Sequence, residues 1–434
     1  MQKEIKSNYI LMMNCHDKTK GRRDFLKFSL IGGISFFSLP LTAGISFSKK
    51  NQKEFELSLQ SPTRFFDGNF CWAHPRAGIV PHIGKNSFPH IVMTVNKLDL
   101  SGSDIFRGIY GMETKDMGKN WTEPKEIKNL SAVGIQLNDI EQLCTIADFW
   151  PTWHKHSQKL MGIGKTFVYT KDWEKAESLP PHIAYSIYNP DNSNWIDLQE
   201  LEIPDYEKFH NANAGCVQRF DLPDGTILLP ITFRPPGKNS AVIVVHCSFD
   251  GKILKYLRCG NELSIDNDTR GLGEPSLTWF NGEFFLTIRN DKEGFVTRSG
   301  DGLHFDPIKP WKFDDGTDLG NYNTQQHWVT HSDGLFLVYT RRGANNDHVF
   351  RHRAPLFIAR VDPERLWVIR ATEQILVPER GARLGNFGVT DVSKNETWVT
   401  VSEWMQPRGV EKYGSDGSVF VARIHWNKPN RLFK

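Results

Sequence analysis

The chain has 434 residues, with 53 Lys and Arg against 50 Asp and Glu, and it is rich in Trp (13), Phe (29), Gly (35) and Pro (23). This composition favours many short strands joined by tight turns over a helical protein. Residues 1–50 hold nine of the basic and three of the acidic residues, which leaves 44 basic and 47 acidic residues and a net charge of −3 in the rest. A nearly neutral body gives no electrostatic reason to expect nucleic acid or an anionic membrane as a partner.

Residues 1–49 have the features of an export leader. Residues 21–27 read G-R-R-D-F-L-K and precede an apolar run over 28–41, which small residues follow. This order resembles a bacterial twin-arginine signal and predicts a periplasmic or secreted protein. A membrane anchor is the alternative, but the run is shorter than the roughly 20 residues that span a bilayer. We therefore expect no membrane span in the mature chain.

Three similar turns recur along the rest of the chain. Residues 114–121 read T-K-D-M-G-K-N-W, residues 299–305 read S-G-D-G-L-H-F, and residues 248–251 read S-F-D-G. In such an Asp-box turn the aspartate accepts hydrogen bonds from backbone N–H groups, the glycine takes a positive φ, and the aromatic residue packs beneath. A turn repeated through strand-rich sequence predicts repeated four-stranded units, which are typical of a β-propeller.

Short alternating strands lie near these turns, separated by hairpin signals such as Asp-Gly and Asn-Gly. No linker, charge block or low-complexity segment divides the chain after residue 50. We therefore predict a single all-β domain over residues 50–434, a six- or seven-bladed β-propeller. About 384 residues at roughly 50–60 residues per blade favours seven blades. The clearest strands cover residues 227–233, 241–246, 283–289 and 335–340.

The cysteines do not indicate a disulfide framework, because their number after the leader is odd and no CxxC spacing occurs. Buried thiols are the expected state. A disulfide between Cys247 and Cys259, and a structural zinc site that includes His246, stay open as alternatives. We expect no required cofactor, and we leave a structural calcium or zinc ion open. The cysteines after the leader are Cys71, Cys144, Cys216, Cys247 and Cys259.

Three longer segments, with Asp-box turns between them, resemble the sialidase superfamily in their order along the chain. The resemblance extends over nearly the whole chain after the leader, and it implies a β-propeller that carries a sugar-binding site on its axis. The segments are residues 73–79 (A-H-P-R-A-G-I), residues 213–230, and residues 273–291, which begin G-E-P-S.

This resemblance implies three arginines that converge on the axis. The matching positions are Arg76, Arg289, and Arg341 or Arg342, and Glu274 matches the glutamate that precedes the second arginine. Three guanidinium groups at one point would hold a sugar carboxylate by bidentate, charge-assisted hydrogen bonds.

A sialidase also uses an aspartate acid and a tyrosine nucleophile. Asp99 is roughly placed for the acid. No tyrosine follows the last arginine at the matching place, where residues 381–389 contain Asn386 and Phe387 instead. The sequence therefore departs from the sialidase pattern at the nucleophile.

Clusters of histidine, arginine and tyrosine resemble the propeller-type uronate lyases, such as the ulvan lyases, and related rhamnosyl-glucuronate enzymes. The resemblance implies His154 as the catalytic histidine, Arg219 as the carboxylate-binding arginine and Tyr206 as the catalytic tyrosine. His210 takes the place of a second histidine. The clusters cover residues 151–156, 206–219, 322–328 and 341–353.

The last two clusters add further substrate contacts to the prediction. Gln326 lies in the third cluster, and His348 lies with Arg341 and Arg342 in the fourth. Such an abundance of cations and amides on predicted loops suits an anionic oligosaccharide or polysaccharide. We expect the protein to act on it as a monomer.

The predicted reaction is β-elimination at a uronic acid of a rhamnose–uronate polysaccharide or oligosaccharide. The C5 proton is acidic enough for a histidine or tyrosine base only when a guanidinium neutralises the carboxylate. Departure of the C4 oxygen then leaves a 4,5-unsaturated uronate, in a lyase if the oxygen is glycosidic and in a dehydratase if it is a hydroxyl. The alternatives are an exo-glycosidase, sialidase-like or rhamnosidase, and a non-catalytic carbohydrate-binding propeller.

Overall fold

Hairpin turns of the predicted chemistry separate the strands. Between the strands Gly273–Phe280 and Glu283–Arg289, Asn281 and Gly282 take φ values of 49° and 92°, the two positive values that suit the twist of a hairpin.

A computed structural model describes residues 53–433 apart from 82–87, 138–139, 177–179 and 205, and these residues fall in one compact unit. The predicted leader over residues 1–49 lies outside the described residues.

The strands form six sheets that stand as blades around a central axis. The inner strands of successive blades pack against one another around the ring, and the inner strand of the last blade packs against that of the first. The preference for seven blades is therefore wrong. The residues that a seventh blade would contain belong instead to unusually long strands. The two inner strands of blade 2, for example, have 15 and 11 residues.

Blades 1 to 3 follow one another in the chain, and each is an antiparallel sheet. Blade 1 contains β2 (Phe70–Val80), β3 (His90–Asp99), β4 (Ile105–Thr114) and β5 (Lys125–Glu126); blade 2 contains β6 (Val133–Leu137), β7 (Ile140–His154), β8 (Lys159–Tyr169), β9 (Ile183–Asn189), β10 (Asn194–Trp195) and β11 (Gln199–Glu200); blade 3 contains β12 (Ala212–Asn213), β13 (Phe220–Asp221), β14 (Ile227–Phe233), β15 (Ala241–Phe249) and β16 (Leu254–Cys259).

Blades 4 to 6 complete the ring, and short helical turns connect some of the strands. Blade 4 contains β17 (Gly273–Phe280), β18 (Glu283–Arg289), β19 (Phe295–Ser299) and β20 (Lys309–Pro310); blade 5 contains β21 (Lys312–Phe313), β22 (His327–His331), β23 (Gly334–Tyr339), β24 (Leu356–Asp362), β25 (Trp367–Val368) and β26 (Gln374–Val377); blade 6 contains β27 (Phe387–Ser393), β28 (Glu396–Ser402), β29 (Ser418–Trp426) and β1 (Phe55–Arg64); the helical turns are α1 (Tyr206–Phe209) and the 3₁₀ turns Lys128–Leu130, Phe350–His352, Arg370–Thr372 and Val410–Tyr413.

The first strand of the described chain closes the ring. β1 pairs antiparallel with β29, from Phe55 opposite Trp426 to Arg64 opposite Ser418, and so forms the outer strand of blade 6. The sheet of this blade is thus held together by backbone hydrogen bonds between the two ends of the described chain.

The Asp-box turns have the predicted geometry. In the first, the Oδ1 atom of Asp116 accepts hydrogen bonds from the Thr114 hydroxyl and the Asn120 N–H, both at 2.9 Å, and Gly118 has a φ of 78°. In the second, Asp301 accepts from the N–H groups of residues 303 and 304, and Gly302 has a φ of 74°. Both turns join the third and fourth strands of a blade, and each therefore marks one blade.

Apolar side chains fill the space between neighbouring blades. Between blades 5 and 6, for example, Val338, Ile358, Val399 and Ala422 belong to one fully buried cluster. The residues that alternate with them, such as Leu337 and Trp398, are buried in other clusters, because successive side chains of a strand point to opposite faces. Burial of each valine or isoleucine contributes about 1.5–3 kcal/mol to the stability of the fold.

The cysteines after the leader are all free thiols. Cys247 and Cys259 lie on the neighbouring strands β15 and β16, but Cys247 stands opposite Tyr256 in the register, and the two do not form a disulfide. Within the described ranges no group of three or more His, Cys, Asp or Glu residues is placed to hold a metal ion. Nor does this part of the chain contain a helix with the length and apolar character that crossing a membrane requires.

Candidate functional site

Five successive blades each place one strained residue at the axis. Each has a positive φ, between 46° and 59°, although none is glycine. Such a conformation costs about 1–3 kcal/mol and persists only where the surrounding structure imposes it, which is common at functional sites. In β2, β7 and β17 it coincides with a break in the strand register. The residues are His74, Asp148, Cys216, Glu274 and Asn323; we call the depression that they surround the central cleft.

Asp148 connects three of the side chains on one side of the central cleft. Its Oδ1 atom lies 3.0 Å from Nδ1 of His74 and accepts the thiol hydrogen of Cys216 at 2.7 Å, while Oδ2 lies 3.1 Å from Nζ of Lys165. Burial alone would raise the pKa of Asp148, but His74 and Lys165 hold it well below its usual range. Asp148 is therefore an anion, and it raises the pKa of Lys165, which burial would otherwise lower.

Arg76 lies beneath this group and is fully buried. One of its amino groups donates to Oε1 of Gln325 at 3.1 Å and to the Cys216 sulfur at 3.5 Å, and its guanidinium lies 5.0 Å from the centre of the Trp150 ring. Its Nε and Nη1 atoms have no hydrogen-bond partner. Arg76 thus places a positive charge under the floor of the central cleft rather than on its surface.

Two arginines meet on the other side of the central cleft. Arg289 forms an ion pair with Glu274 and donates to Oδ1 of Asn323 at 2.6 Å. Arg353 donates to the backbone oxygen of the same Asn323, and to Oδ1 of Asn386 at 3.4 Å. We call Arg289 and Arg353, with Asn323 between them, the arginine clamp.

Arg353 is the unusual member of the clamp. Only 5% of its surface is exposed, its Nε atom has no partner, and its hydrogen bonds go to uncharged oxygens. Burial, and then the nearby charges of Arg289 and Arg383, lower its pKa well below the usual range. A buried cation without a carboxylate partner is costly, and a bound anion would remove that cost.

A tyrosine–histidine pair adjoins the clamp. The Tyr322 hydroxyl lies 2.6 Å from Nδ1 of His352, and Nε2 of His352 lies 3.2 Å from Oδ1 of Asp347. Tyr322 directly precedes Asn323 in the chain, and His352 directly precedes Arg353. Asn323 and Arg353 of the clamp therefore come from the same two loops of blade 5 as the pair, whereas Arg289 ends β18 of blade 4.

Asp104 lies at the rim, in the turn between β3 and β4. Its carboxylate is 42% exposed and lies 3.1 Å from Nζ of Lys175. Burial would raise its pKa, but Lys175 and Lys165 outweigh this effect and keep the pKa below its usual value. Asp99, the aspartate that the resemblance pointed to, is instead buried and paired with Arg107.

Cavities of two sizes lie on these blades. One of about 140 Å³ opens at the central cleft and is lined by residues that include Lys165, Asn213, Glu274 and Arg289. A larger one, of about 600 Å³, lies between the hairpin turns of blades 2 and 3 and contains none of the residues of the central cleft. Size alone does not mark the site, because the smaller cavity is the one that Glu274 and Arg289 line.

The structure brings three of the predicted residues to the axis, namely Arg76, Glu274 and Arg289. Gln326 is buried, but it faces away from Arg76: its Oε1 accepts from Thr287 at 3.2 Å and its amide donates to the backbone oxygen of residue 324. Its neighbour Gln325 makes the contact with Arg76 instead. Adjacent side chains of an extended chain point to opposite sides, so Gln325 faces Arg76 and Gln326 does not.

His154 and Arg219 do not join the central cleft. His154 is fully buried and lies 2.7 Å from the Ser157 hydroxyl and 3.0 Å from the backbone oxygen of Gly225. Asp148 and His154 are separated along β7 by up to roughly 20 Å, at about 3.3 Å of rise per residue. His154 therefore lies at the end of β7 that is remote from the central cleft.

Arg219 is a brace between blades 2 and 3. It pairs with Asp221 and donates to the backbone oxygens of Thr152 and Met161, at 3.1 and 3.3 Å. Its side chain is 3% exposed. The alternating pattern that made it a candidate ligand is thus satisfied by packing between blades.

We expect Arg219→Lys to destabilise the protein and leave its activity unchanged. Lysine has no guanidinium group and cannot donate to Asp221 and two backbone carbonyl groups at once. The free energy of unfolding should therefore fall by about 1–3 kcal/mol. Urea unfolding measures the loss, and turnover at saturating substrate measures the activity. A fall in substrate affinity without a loss of stability would show that Arg219 binds the substrate after all.

The other predicted residues lie around blades 3, 5 and 6. Arg341 forms a bidentate pair with Glu373, and His348 lies 2.8 Å from Glu379. Arg342 is exposed, donates to the backbone oxygen of residue 292 and lies 4.5 Å from the centre of the Tyr322 ring. The third arginine of the axis is therefore Arg353, at the other end of the predicted cluster.

His210 and Tyr206 belong to the loop before blade 3. His210 is exposed and follows α1, a short distance before Asn213, which lines the cleft. Tyr206 begins α1, and its side chain is outside the described part. The catalytic roles of His210 and Tyr206 stay predictions.

Comparison with known proteins supports the fold. No protein-family model and no curated protein matches the chain. Among solved structures, a protein of unknown function from Dyadobacter fermentans aligns with a TM-score of 0.55 and 15% identity, over 85% of this chain and 99% of the other. The NanB sialidase of Streptococcus pneumoniae aligns with a TM-score of 0.56 and 10% identity, over 84% of this chain and 70% of that one.

A third similar structure is the sialidase of Trypanosoma rangeli, with a TM-score of 0.52 and 11% identity. The alignment covers 85% of this chain but only 59% of that sialidase. The fold is that of a sialidase-like β-propeller. In this sialidase-like propeller Asn386 lies beside Arg353, and the tyrosine that adjoins the clamp is Tyr322 from blade 5. At this level of identity the similarity extends to the fold alone.

Proposed function

We propose that the protein is a glycan-processing enzyme that binds a uronic acid through the arginine clamp and eliminates the substituent at its C4 atom. The observation that carries this proposal is the junction at residues 322 and 323. There the clamp and the Tyr322–His352 pair meet. Elimination next to a carboxylate needs these two parts, a cation for the carboxylate and a group that moves the proton.

The clamp supplies the cation. Arg353 has an unpartnered Nε atom and no carboxylate among its hydrogen-bond acceptors. A sugar carboxylate at this point would take charge-assisted hydrogen bonds from Arg353 and Arg289, and Arg76 would add a positive charge from below. As the C5–H bond breaks, charge moves onto the carboxylate, and the guanidinium groups stabilise it there.

The Tyr322–His352 pair moves the proton. The short contact lets the Tyr322 hydroxyl donate to Nδ1 of His352, and the opposite ring nitrogen faces Asp347, which favours the tautomer that this transfer needs. His352 takes the phenol proton while the Tyr322 oxygen takes the C5 proton. The electron pair of the C5–H bond forms the C4–C5 double bond, and the C4–O bond breaks. The pair then returns one proton to the departing oxygen, so no co-reactant is consumed.

Hydrolysis by a carboxylate pair is the second candidate, because Glu274 and Asp104 both lie at the central cleft. A glycosidase of this kind needs one carboxyl group that is protonated and one that is ionised. Glu274 is already held by Arg289, and Asp104 is kept ionised by Lys175 and Lys165. This arrangement supports elimination over hydrolysis.

The predicted export leader is consistent with a polysaccharide substrate. An acidic polysaccharide does not enter the cytoplasm intact, so an enzyme that acts on it needs export. We propose that residues 1–49 direct the protein to the periplasm or the medium, where it acts as a monomer without a required cofactor.

Incubation with rhamnose–uronate oligosaccharides tests the proposal. We expect the ultraviolet absorbance of a conjugated, unsaturated uronate to rise as the chains are cut. The same oligosaccharides with their carboxylates reduced to alcohols are the matched control, and they should give neither absorbance nor cleavage. New reducing ends without the chromophore would favour hydrolysis, and binding without either change would favour a carbohydrate-binding propeller.

A further inference from the structure

We infer that an exposed surface on blades 5 and 6 binds the sugars that flank the reacting uronate, so that the protein acts on chains rather than on single sugars. This inference rests on the proposed function, since it extends the same site. We call this surface the rim track. It consists of His348, Phe350, Arg351 and Tyr413 at the surface, with the buried Arg383 next to Phe350.

Two exposed aromatic rings bound the rim track. Phe350 and Tyr413 are each 44% exposed, and both lie on 3₁₀ turns, Phe350–His352 and Val410–Tyr413. Exposed apolar groups that form a patch rimmed by polar residues commonly mark a binding site. The apolar C–H faces of sugars are covered well by such rings, which offer a flat, rigid contact area.

The two rings belong to one continuous surface. The Tyr413 ring centre lies 4.6 Å from that of His348, and the Phe350 ring centre lies 5.2 Å from the guanidinium of Arg383. Residues 348–350 and 381–383 thus run side by side between the rings. The contact between Tyr413 and Gly381 is so close that a side chain at position 381 would meet the tyrosine ring at 2.6 Å.

The charge of the rim track is positive. Arg351 lies 5.0 Å from the Phe350 ring centre, and the guanidinium of Arg383 lies 4.4 Å from the Trp404 ring centre. Arg383 is only 6% exposed, and its Nε atom has no hydrogen-bond partner. Burial, which Asp104 opposes and Arg351 reinforces, lowers the pKa of Arg383 to about 10. An anionic occupant would relieve this excess of positive charge.

The rim track leads directly to the arginine clamp. Phe350, Arg351, His352 and Arg353 are consecutive, and Arg351 and His352 take φ values of 58° and 50°. The same strained loop therefore supplies an aromatic ring of the rim track, the proton-transfer histidine and the clamp. Rings that alternate with cations match an acidic oligosaccharide, in which apolar sugar faces alternate with carboxylates.

Binding of a size series tests the rim track. Isothermal titration calorimetry with uronate-containing oligosaccharides, from disaccharide to octasaccharide, gives the affinity for wild type, Phe350→Ala and Tyr413→Ala. We expect wild type to bind the longer chains more tightly. Each substitution should weaken octasaccharide binding by about three- to tenfold and leave disaccharide binding unchanged. Ile253→Ala is the control, since this side chain is 47% exposed and lies on blade 3.

The outcomes separate this inference from the proposed function. Equal affinity of wild type for all lengths, or unchanged affinity in both variants, would overturn the rim track. If short substrates are still eliminated in that case, the proposed function stands. If the length dependence and its loss in the variants are seen without any unsaturated product, the rim track stands and elimination is rejected.

Discussion

Arg353→Met is expected to slow turnover of a carboxylated substrate strongly and to raise the stability of the ligand-free protein. Loss of a group that stabilises developing charge costs about 10²–10³-fold in rate. Replacement of a buried, unpaired ion by an apolar side chain of similar length stabilises by about 1–4 kcal/mol. Activity and stability should therefore change in opposite directions.

The sign of the stability change follows from the pKa. Folding lowers the pKa of Arg353 well below its usual range, so folding disfavours the charged form. The penalty is fully present below the folded pKa, and it falls to zero as the pH rises from the folded to the unfolded pKa. Methionine removes the penalty at every pH.

Thermal unfolding with and without a uronic acid measures both effects. Wild type should gain stability when the uronate binds, because a ligand that binds only the folded state stabilises it. Arg353→Met should start from a higher melting temperature and gain nothing from the uronate. The exposed Arg365→Met is the control and should respond like wild type. A destabilised Arg353→Met protein that still responds to uronate would contradict the clamp.

The second large effect is expected for Tyr322→Phe. Removal of the hydroxyl leaves the ring and its contact with Arg342 in place, so the fold and the substrate affinity should be retained. Without a group that moves the C5 proton, kcat should fall about 10²–10⁴-fold. Steady-state kinetics on the unsaturated product separates kcat from KM.

Tyr256→Phe is the matched control, because it deletes the same hydroxyl from β16 at the outer side of blade 3. It should leave kcat unchanged. A rise in KM at constant kcat in Tyr322→Phe would mean that the hydroxyl binds the substrate but does not transfer a proton. His352→Gln should reproduce the loss of kcat, since it removes the group that accepts the phenol proton.

The fold was largely predictable because its signals are local. The Asp-box turns at Asp116 and Asp301 need an aspartate, a glycine and a small hydroxyl residue within a few positions, and the structure has these hydrogen bonds. The number of blades was not predictable from length. Strands as long as β7 use residues that a division by average blade size assigns to another blade.

The site was only partly predictable. Glu274 and Arg289 follow from one local motif, and the structure pairs them. His154 and Arg219 have the right chemistry, but alternation along a strand does not tell which end of the propeller a residue occupies. Cys216 and Asn323 were missed because a positive φ at a residue other than glycine has no sequence signature. Tertiary packing alone reveals it.

The pairing of β1 with β29 determines when blade 6 can fold. Blade 6, which also carries Asn386 beside Arg353, cannot be assembled until synthesis of the polypeptide has passed β29. Pairing between segments so distant in the chain is slow, and an incomplete ring leaves sheet edges uncovered meanwhile. Loosening of β1 would weaken blade 6, and with it the contact that Asn386 makes with Arg353.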